Sequence, residues 1–250
     1  MVNVTRIGAA SVAAALALSA VVAAAAGTWR SERSQADAMA AQSRTIAALR
    51  AEVESLRATS PDWASVVAQD EPSVVTVFTD EDLGSGWVVR SDKTSADILT
   101  NYHVVADALD KGEHDFRVVR FDHTMSADVV RADRADDLAL LRVGEKLPAL
   151  VTSTERPAVG APVMDLGSPL GLKGSVSVGV VAAFRSIFGS DYLQFTAPIS
   201  PGDSGGPLVD GAGRVVGIAT AKIVYDGAES LGLAIPVQVA CAALADCVQA

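Results

Sequence analysis

The chain has 250 residues, half of them hydrophobic, and carries 20 Lys and Arg against 30 Asp and Glu for a formal net charge of −10. That length accommodates one larger β-rich domain with a short appendage, and with only 5% aromatics its core must be built mainly from small aliphatic side chains. The acidic balance repels phosphate backbones and gives no support to nucleic-acid binding.

Ile7 to Ala26 carries no charge, and as a helix it is long enough to span a hydrocarbon layer of about 30 Å. Residues 1–30 therefore read as an export signal or a membrane anchor. The run Ala23–Gly27 suits a signal-peptidase site, while Arg6 before the segment and Arg30 and Arg33 after it leave orientation open. The mature protein is expected outside the cytoplasm, membrane-anchored or periplasmic or extracellular, touching a membrane through this helix if it is not removed.

Residues 31–60 lack Gly, and Met39, Ile46 and Val53 recur every seven positions with Leu49 and Leu56 three further on. This heptad pattern, interrupted by Gln42, predicts a helical stalk, either a short parallel coiled coil or a single amphipathic helix. Ser60–Pro61 ends it, and residues 61–250 read as one domain. Short β-rich runs separated by Gly, Pro, Asp and Ser are expected over 73–79, 86–89, 98–100, 116–121, 127–130, 139–143, 162–165, 176–184, 192–196, 207–209, 215–220 and 232–235. So many short strands predict an all-β domain, a sandwich or paired barrels. Cys241 and Cys247 match no zinc pattern. On an intact C-terminal helix their Cα atoms would stand about 9 Å apart, beyond disulfide reach, so a bridge requires that helix to break; free thiols and one bridge are both open.

The most informative stretch is Ser200–Pro207, where Ser204 is flanked by glycines that let the backbone turn sharply and bring N–H groups to one point. Acyl transfer needs such donors fixed in advance around the developing oxyanion, and the loop Gly202, Asp203, Ser204 supplies them. A serine needs a general base and a carboxylate to orient that base. His103 follows an apolar run, whereas His114 and His123 lie in charged or polar turns. Asp137 directly precedes the run Leu138–Leu141, so strand polarity points it inward, while Asp136 continues a polar turn. The chain order His103, Asp137, Ser204 is that of the chymotrypsin arrangement. No cofactor-binding loop or metal cluster is recognisable, so no cofactor or metal is expected.

Together these motifs resemble the protease domain of the HtrA/Deg family of trypsin-like serine proteases. The match continues through Gly84–Val88, Gly167–Leu172, Gly217–Ala221 and Gly232–Pro236. The resemblance implies two six-stranded antiparallel β-barrels with a C-terminal helix, preceded here by the hydrophobic helix and stalk. It further implies an endopeptidase in cell-envelope quality control or regulated proteolysis, a polypeptide substrate, and a homo-oligomer, often a trimer. By the same resemblance Ala219, Thr220 and Ala221 form the edge that pairs with extended substrate. Pro198 stands where trypsin-like digestive enzymes carry an acidic residue, which implies cleavage after small or medium aliphatic residues. Three departures stand out. Asp203 replaces the Asn usual in bacterial members, the chain after Pro236 is too short for a PDZ domain, and the loop Arg185–Asp191 is short, with Phe188 as a buried anchor. A non-catalytic binding scaffold would not need the intact triad, and an esterase would be expected to show a nucleophile elbow.

Overall fold

The computed structural model describes residues 4–80, 82–168, 174–187, 189–222, 231–244 and 246–248. Two compact units result, Met1–Ser60 and Pro61–Ala250. The first is one uninterrupted helix, α1 (Val4–Thr59), which runs through both the apolar segment and the heptad pattern. Within it, Ala14–Val53 contains a window long and apolar enough to cross a membrane. The seam residues Met39, Ile46, Leu49 and Val53 are exposed on it.

In the second unit, Pro61 disfavours helical backbone in the residue before it, and α1 stops at Thr59. Asp62 then caps a new helix, α2 (Trp63–Asp70), accepting the Ser65 N–H at 3.2 Å and the Ser65 hydroxyl at 2.8 Å. Twelve strands follow among the described residues. β1 (Val74–Phe78), β2 (Leu83–Ser91), β3 (Ala96–Thr100), β4 (Asp115–Arg120), β5 (His123–Asp133) and β6 (Leu138–Val143) close a barrel in the order β1-β2-β3-β6-β5-β4. β7 (Pro162–Gly167), β8 (Ser175–Ile187), β9 (Ser190–Phe195), β10 (Pro207–Asp210), β11 (Val215–Lys222) and β12 (Gly232–Pro236) close a second in the order β10-β11-β12-β9-β8-β7. Every strand pair is antiparallel.

The run Leu138–Leu141 is apolar throughout because both of its faces are buried. Ala139 and Leu141 point into the first barrel, while Leu138 and Leu140 join Leu99, Met164 and Ile218 in a core between the barrels. The second barrel has its own filling, including Val181, Phe195 and Leu208. A strand that feeds two cores, one from each face, thus fixes how the barrels meet, and that junction is where the candidate site lies.

Two helices were not anticipated from the apolar pattern: α2, and α3 (Tyr102–Asp110) after β3. Strand β5 also runs longer than expected, to Asp133. The final helix, α4 (Val237–Ala243), ends at Leu244, and the chain turns back so that Cys241 and Cys247 form a disulfide with Cα atoms 5.5 Å apart. The bridge alternative is the one realised, by the helix break it requires. Beyond it, the Val248 carbonyl accepts both the Thr152 N–H at 2.7 Å and the Thr152 hydroxyl at 2.9 Å, tying this end of the chain to the barrels. The expectations for Phe188 and for Pro169–Leu172 fall outside the described residues.

Closing so short a loop removes about 2 kcal/mol of unfolded-state entropy. Replacing Cys241 and Cys247 by Ser should lower the unfolding free energy by about that amount in denaturant titrations, and added reductant should then have no further effect on the variant.

Candidate active site

β3 ends at Thr100, and Asn101 adopts an extended conformation (φ −77°, ψ 149°) from which α3 begins. Val104, Val105 and Ala108 bury one face of α3, which leaves His103 in its first turn at the barrel junction. Across from it, Asp137 precedes β6 in the left-handed region (φ 54°), a conformation that Asp tolerates better than most residues. The Asn101 side-chain amide holds this turn by donating to the Asp137 carbonyl at 2.9 Å. Asp136 stays outside, its N–H donated to Asp133 at 3.2 Å.

The Asp137 carboxylate gathers three donors. The His103 main-chain N–H reaches Oδ1 at 2.9 Å, the His103 ring Nδ1 reaches Oδ2 at 2.9 Å, and the Thr220 hydroxyl donates to Oδ2 at 2.6 Å. Burial alone would raise this carboxyl. The hydrogen bonds and charge of His103, with the Thr220 hydroxyl, outweigh it and hold Asp137 below the usual carboxylate range. An ionised carboxylate only accepts, so Nδ1 carries a proton, and in the neutral imidazole Nε2 then presents a lone pair.

Thr220 also reaches the serine: its carbonyl accepts the Ser204 hydroxyl at 3.2 Å. The Ser204 carbonyl accepts the Ser85 N–H from β2 at 2.8 Å, and the Gly205 N–H donates to Ala219 O at 2.8 Å. The preceding turn is closed by the Asp203 N–H donating to Ser200 O at 3.1 Å, with Gly202 at φ 102°. That is a type II turn, with Pro201 and Gly202 at its two central positions. The Asp203 N–H is therefore engaged within the turn, which leaves the Gly202 and Ser204 N–H groups as the candidate oxyanion donors.

Asp203 itself is buried, and its Oδ2 accepts the Ser200 N–H at 2.7 Å. Its carboxyl is packed so tightly on Gly167 that a Cβ there would lie 2.4 Å from Oδ1. Burial raises its pKa, opposed in part by the Ser200 N–H. Beneath it, Asp165 on β7 is also buried, and Oδ1 has no hydrogen-bond partner. Burial, reinforced by the charge of Asp203, pushes Asp165 well above the carboxylate range.

Among the residues expected to meet substrate, Pro198 is exposed and its carbonyl accepts the Ser177 hydroxyl at 2.7 Å. Both main-chain groups of Ala219 are engaged, the N–H with Gly206 O at 2.9 Å and the carbonyl with Gly205 N–H. Among the described residues β10 pairs β11 only as far as Ile218, and no strand pairs that side of β11 from Thr220 through Ala221 to Lys222. His114 and His123 lie on the surface, the latter 2.9 Å from Glu145. Among the described residues no group of three or more His, Cys, Asp or Glu is arranged to hold a metal ion. Sequence reasoning gave no role to Ser85, Thr100, Asn101 or Asp165. Of these, Ser85 lay in the motif Gly84–Val88, and Thr100 and Asn101 lay in the segment that carries His103.

Residues 84–218 match the family model of the trypsin-like peptidase domain. Among curated proteins, the chain is similar to the serine protease Do-like HtrB of Bacillus subtilis, 34% identical over 61% of this chain and 35% of that protein. It is 38% identical to a probable periplasmic serine endoprotease DegP-like of Pseudomonas putida, over 64% of this chain and 34% of the relative. The magnetosome formation protease MamE of Paramagnetospirillum magneticum is also 38% identical, over 62% of this chain and 22% of the relative. The chain thus spans about a fifth to a third of the length of these relatives. Among solved structures, Rv3671c of M. tuberculosis in an inactive form superposes with a TM-score of 0.63 at 30% identity, covering 76% of this chain and 95% of that one. The serine endoprotease of Yersinia pestis gives 0.63 at 32% identity, covering 72% and 64%.

A carboxyl whose pKa is raised on folding stabilises the fold below its unfolded pKa, and that contribution is lost as pH climbs through the folded value. Asp165 and Asp203 both act in this sense. Asp165→Asn should therefore lose less stability than wild type between pH 4 and pH 8, measured as the urea midpoint.

Proposed function

Since the chain belongs to the trypsin-like peptidase family, in its HtrA/Deg branch, we propose that it is a serine endopeptidase with His103, Asp137 and Ser204 as its catalytic residues. The observation that carries this reading is the unbroken set of hydrogen bonds from His103 through Asp137 and Thr220 to Ser204.

Rotation about χ1 frees the Ser204 hydroxyl from the Thr220 carbonyl and turns it to His103. Ser204 Oγ attacks the scissile carbonyl while its proton passes to His103 Nε2, and Asp137 stabilises the resulting imidazolium. The oxyanion is received by the Gly202 and Ser204 N–H groups. Collapse expels the amine, which takes the proton from Nε2, and leaves the acyl-enzyme. Water, deprotonated by the same nitrogen, then releases the acid and restores Ser204.

Extended substrate pairs with β11 from Thr220 onward, the strand-addition mode in which main-chain bonds give affinity and pockets give specificity. The uncharged Pro198 favours small or medium aliphatic side chains on the acyl side of the cleaved bond. The apolar portion of α1 supports an envelope location, and the exposed seam of α1 supports association with further copies of the same helix. Turnover of misfolded or regulatory envelope proteins is the role that fits these features.

With an unfolded protein as substrate, Ser204→Ala should reduce hydrolysis by at least about 1,000-fold while leaving substrate binding intact. Equal turnover in wild type and variant overturns the reading. A peptide-library profile should be dominated by Val, Ala or Leu before the cut; dominance by Arg or Lys contradicts the assignment of Pro198.

A further inference from the structure

We infer that Ser85 is a positioning residue for the oxyanion loop, acting through the carbonyl of Gly202 without touching the substrate. It sits on β2 with 0% of its surface exposed. Its hydroxyl donates to Gly202 O at 2.7 Å and accepts the Ser168 N–H at 2.9 Å. Its N–H donates to Ser204 O at 2.8 Å, and its carbonyl accepts the Thr100 hydroxyl at 2.7 Å. One residue of the first barrel therefore bonds the nucleophile loop twice, at Gly202 and at Ser204, and links it to the strand end that leads into α3 and His103.

The bond to Gly202 matters because of what it fixes. The peptide between Gly202 and Asp203 is held at both ends, its carbonyl by Ser85 Oγ and its N–H by Ser200 O. Gly202 is the residue of this turn with the widest conformational freedom, and it stands at φ 102°. The type II form of the turn, with Gly202 at φ 102°, sets the orientation of the Pro201–Gly202 peptide that carries the Gly202 N–H, and the two bonds to the following peptide anchor the flank of that turn before substrate arrives. Donors aligned in advance are what stabilise a developing oxyanion. The direction of the chain Ser168 N–H to Ser85 O–H to Gly202 C=O also follows: a hydroxyl that receives a proton from an N–H is free to give its own to the carbonyl, and such chains strengthen each member. Removal of the hydroxyl leaves a buried carbonyl and a buried N–H unmatched at the loop.

The inference rests on Gly202 serving as an oxyanion donor, and the experiment separates its failure from failure of that reading. Ser85→Ala in the full chain should lower kcat about 10- to 100-fold with KM changed less than about 2-fold. A peptide aldehyde, whose adduct with Ser204 mimics the tetrahedral species, should lose affinity by the same factor as kcat/KM, and a non-covalent product peptide should not. Ser85→Cys keeps a weak donor in nearly the same volume, and its kcat should fall between the two. Wild-type kcat in either folded variant, or aldehyde and product affinities falling together, overturns the inference while leaving Ser204 as nucleophile. If neither variant yields folded protein, Ser85 serves folding and the inference also fails.

Discussion

A single main-chain hydrogen bond, from the Ser85 N–H of the first barrel to the Ser204 carbonyl of the second, is the point on which the rest of the site depends. It requires two backbones to approach without intervening side chains. A Cβ on Gly205 would stand 2.2 Å from Ser85 O, one on Gly206 2.6 Å from Leu166 O, and one on Gly84 2.6 Å from a methyl of Val104. Gly205 also holds φ 89°, in the left-handed region. The glycines around Ser204 thus allow the loop to enter the junction, as well as to turn. With the loop seated there, Thr220 from the second barrel meets Asp137 from the first, and the two halves of the site become one.

The junction holds because the strands beside it are buried on both faces. Trp87, Leu99, Leu138 and Leu140 turn one way toward Met164, Leu166 and Ile218, while Val88, Ile98, Ala139 and Leu141 turn the other way into their own barrel. Displacing the barrels would expose the set that faces the second barrel, at about 25 cal/mol per Å² of apolar surface. The rigidity that pre-alignment demands comes from this shared core. Asp203 and Asp165 are a cost carried beside it, two buried carboxyls whose ionisation burial opposes, one in the turn before Ser204 and one on β7.

Much of this was legible in the residues. The string Gly202–Pro207 carries its own chemistry, and the inward placement of Asp137 followed from the apolar run after it. Helix α3 was hidden because Val104 and Val105 prolong the apolar stretch of β3, and its only start signal is Asn101, whose side chain is engaged with Asp137 instead of capping the helix. The bond of Thr220 to Asp137 was not legible because it spans 83 positions, and a hydroxyl in an apolar strand does not declare its partner. The role of Ser85 was likewise set by residues 83 and 117 positions away. Periodicity reports which face is buried, and these contacts depend on which faces meet.

Mapping the adduct of a fluorophosphonate by peptide mass spectrometry tests the central claim most directly, because only a serine activated by a base reacts quickly. The account predicts a single rapid adduct on Ser204 that is lost in His103→Ala. An adduct on another serine, or labelling of Ser204 at the same rate without His103, would contradict it.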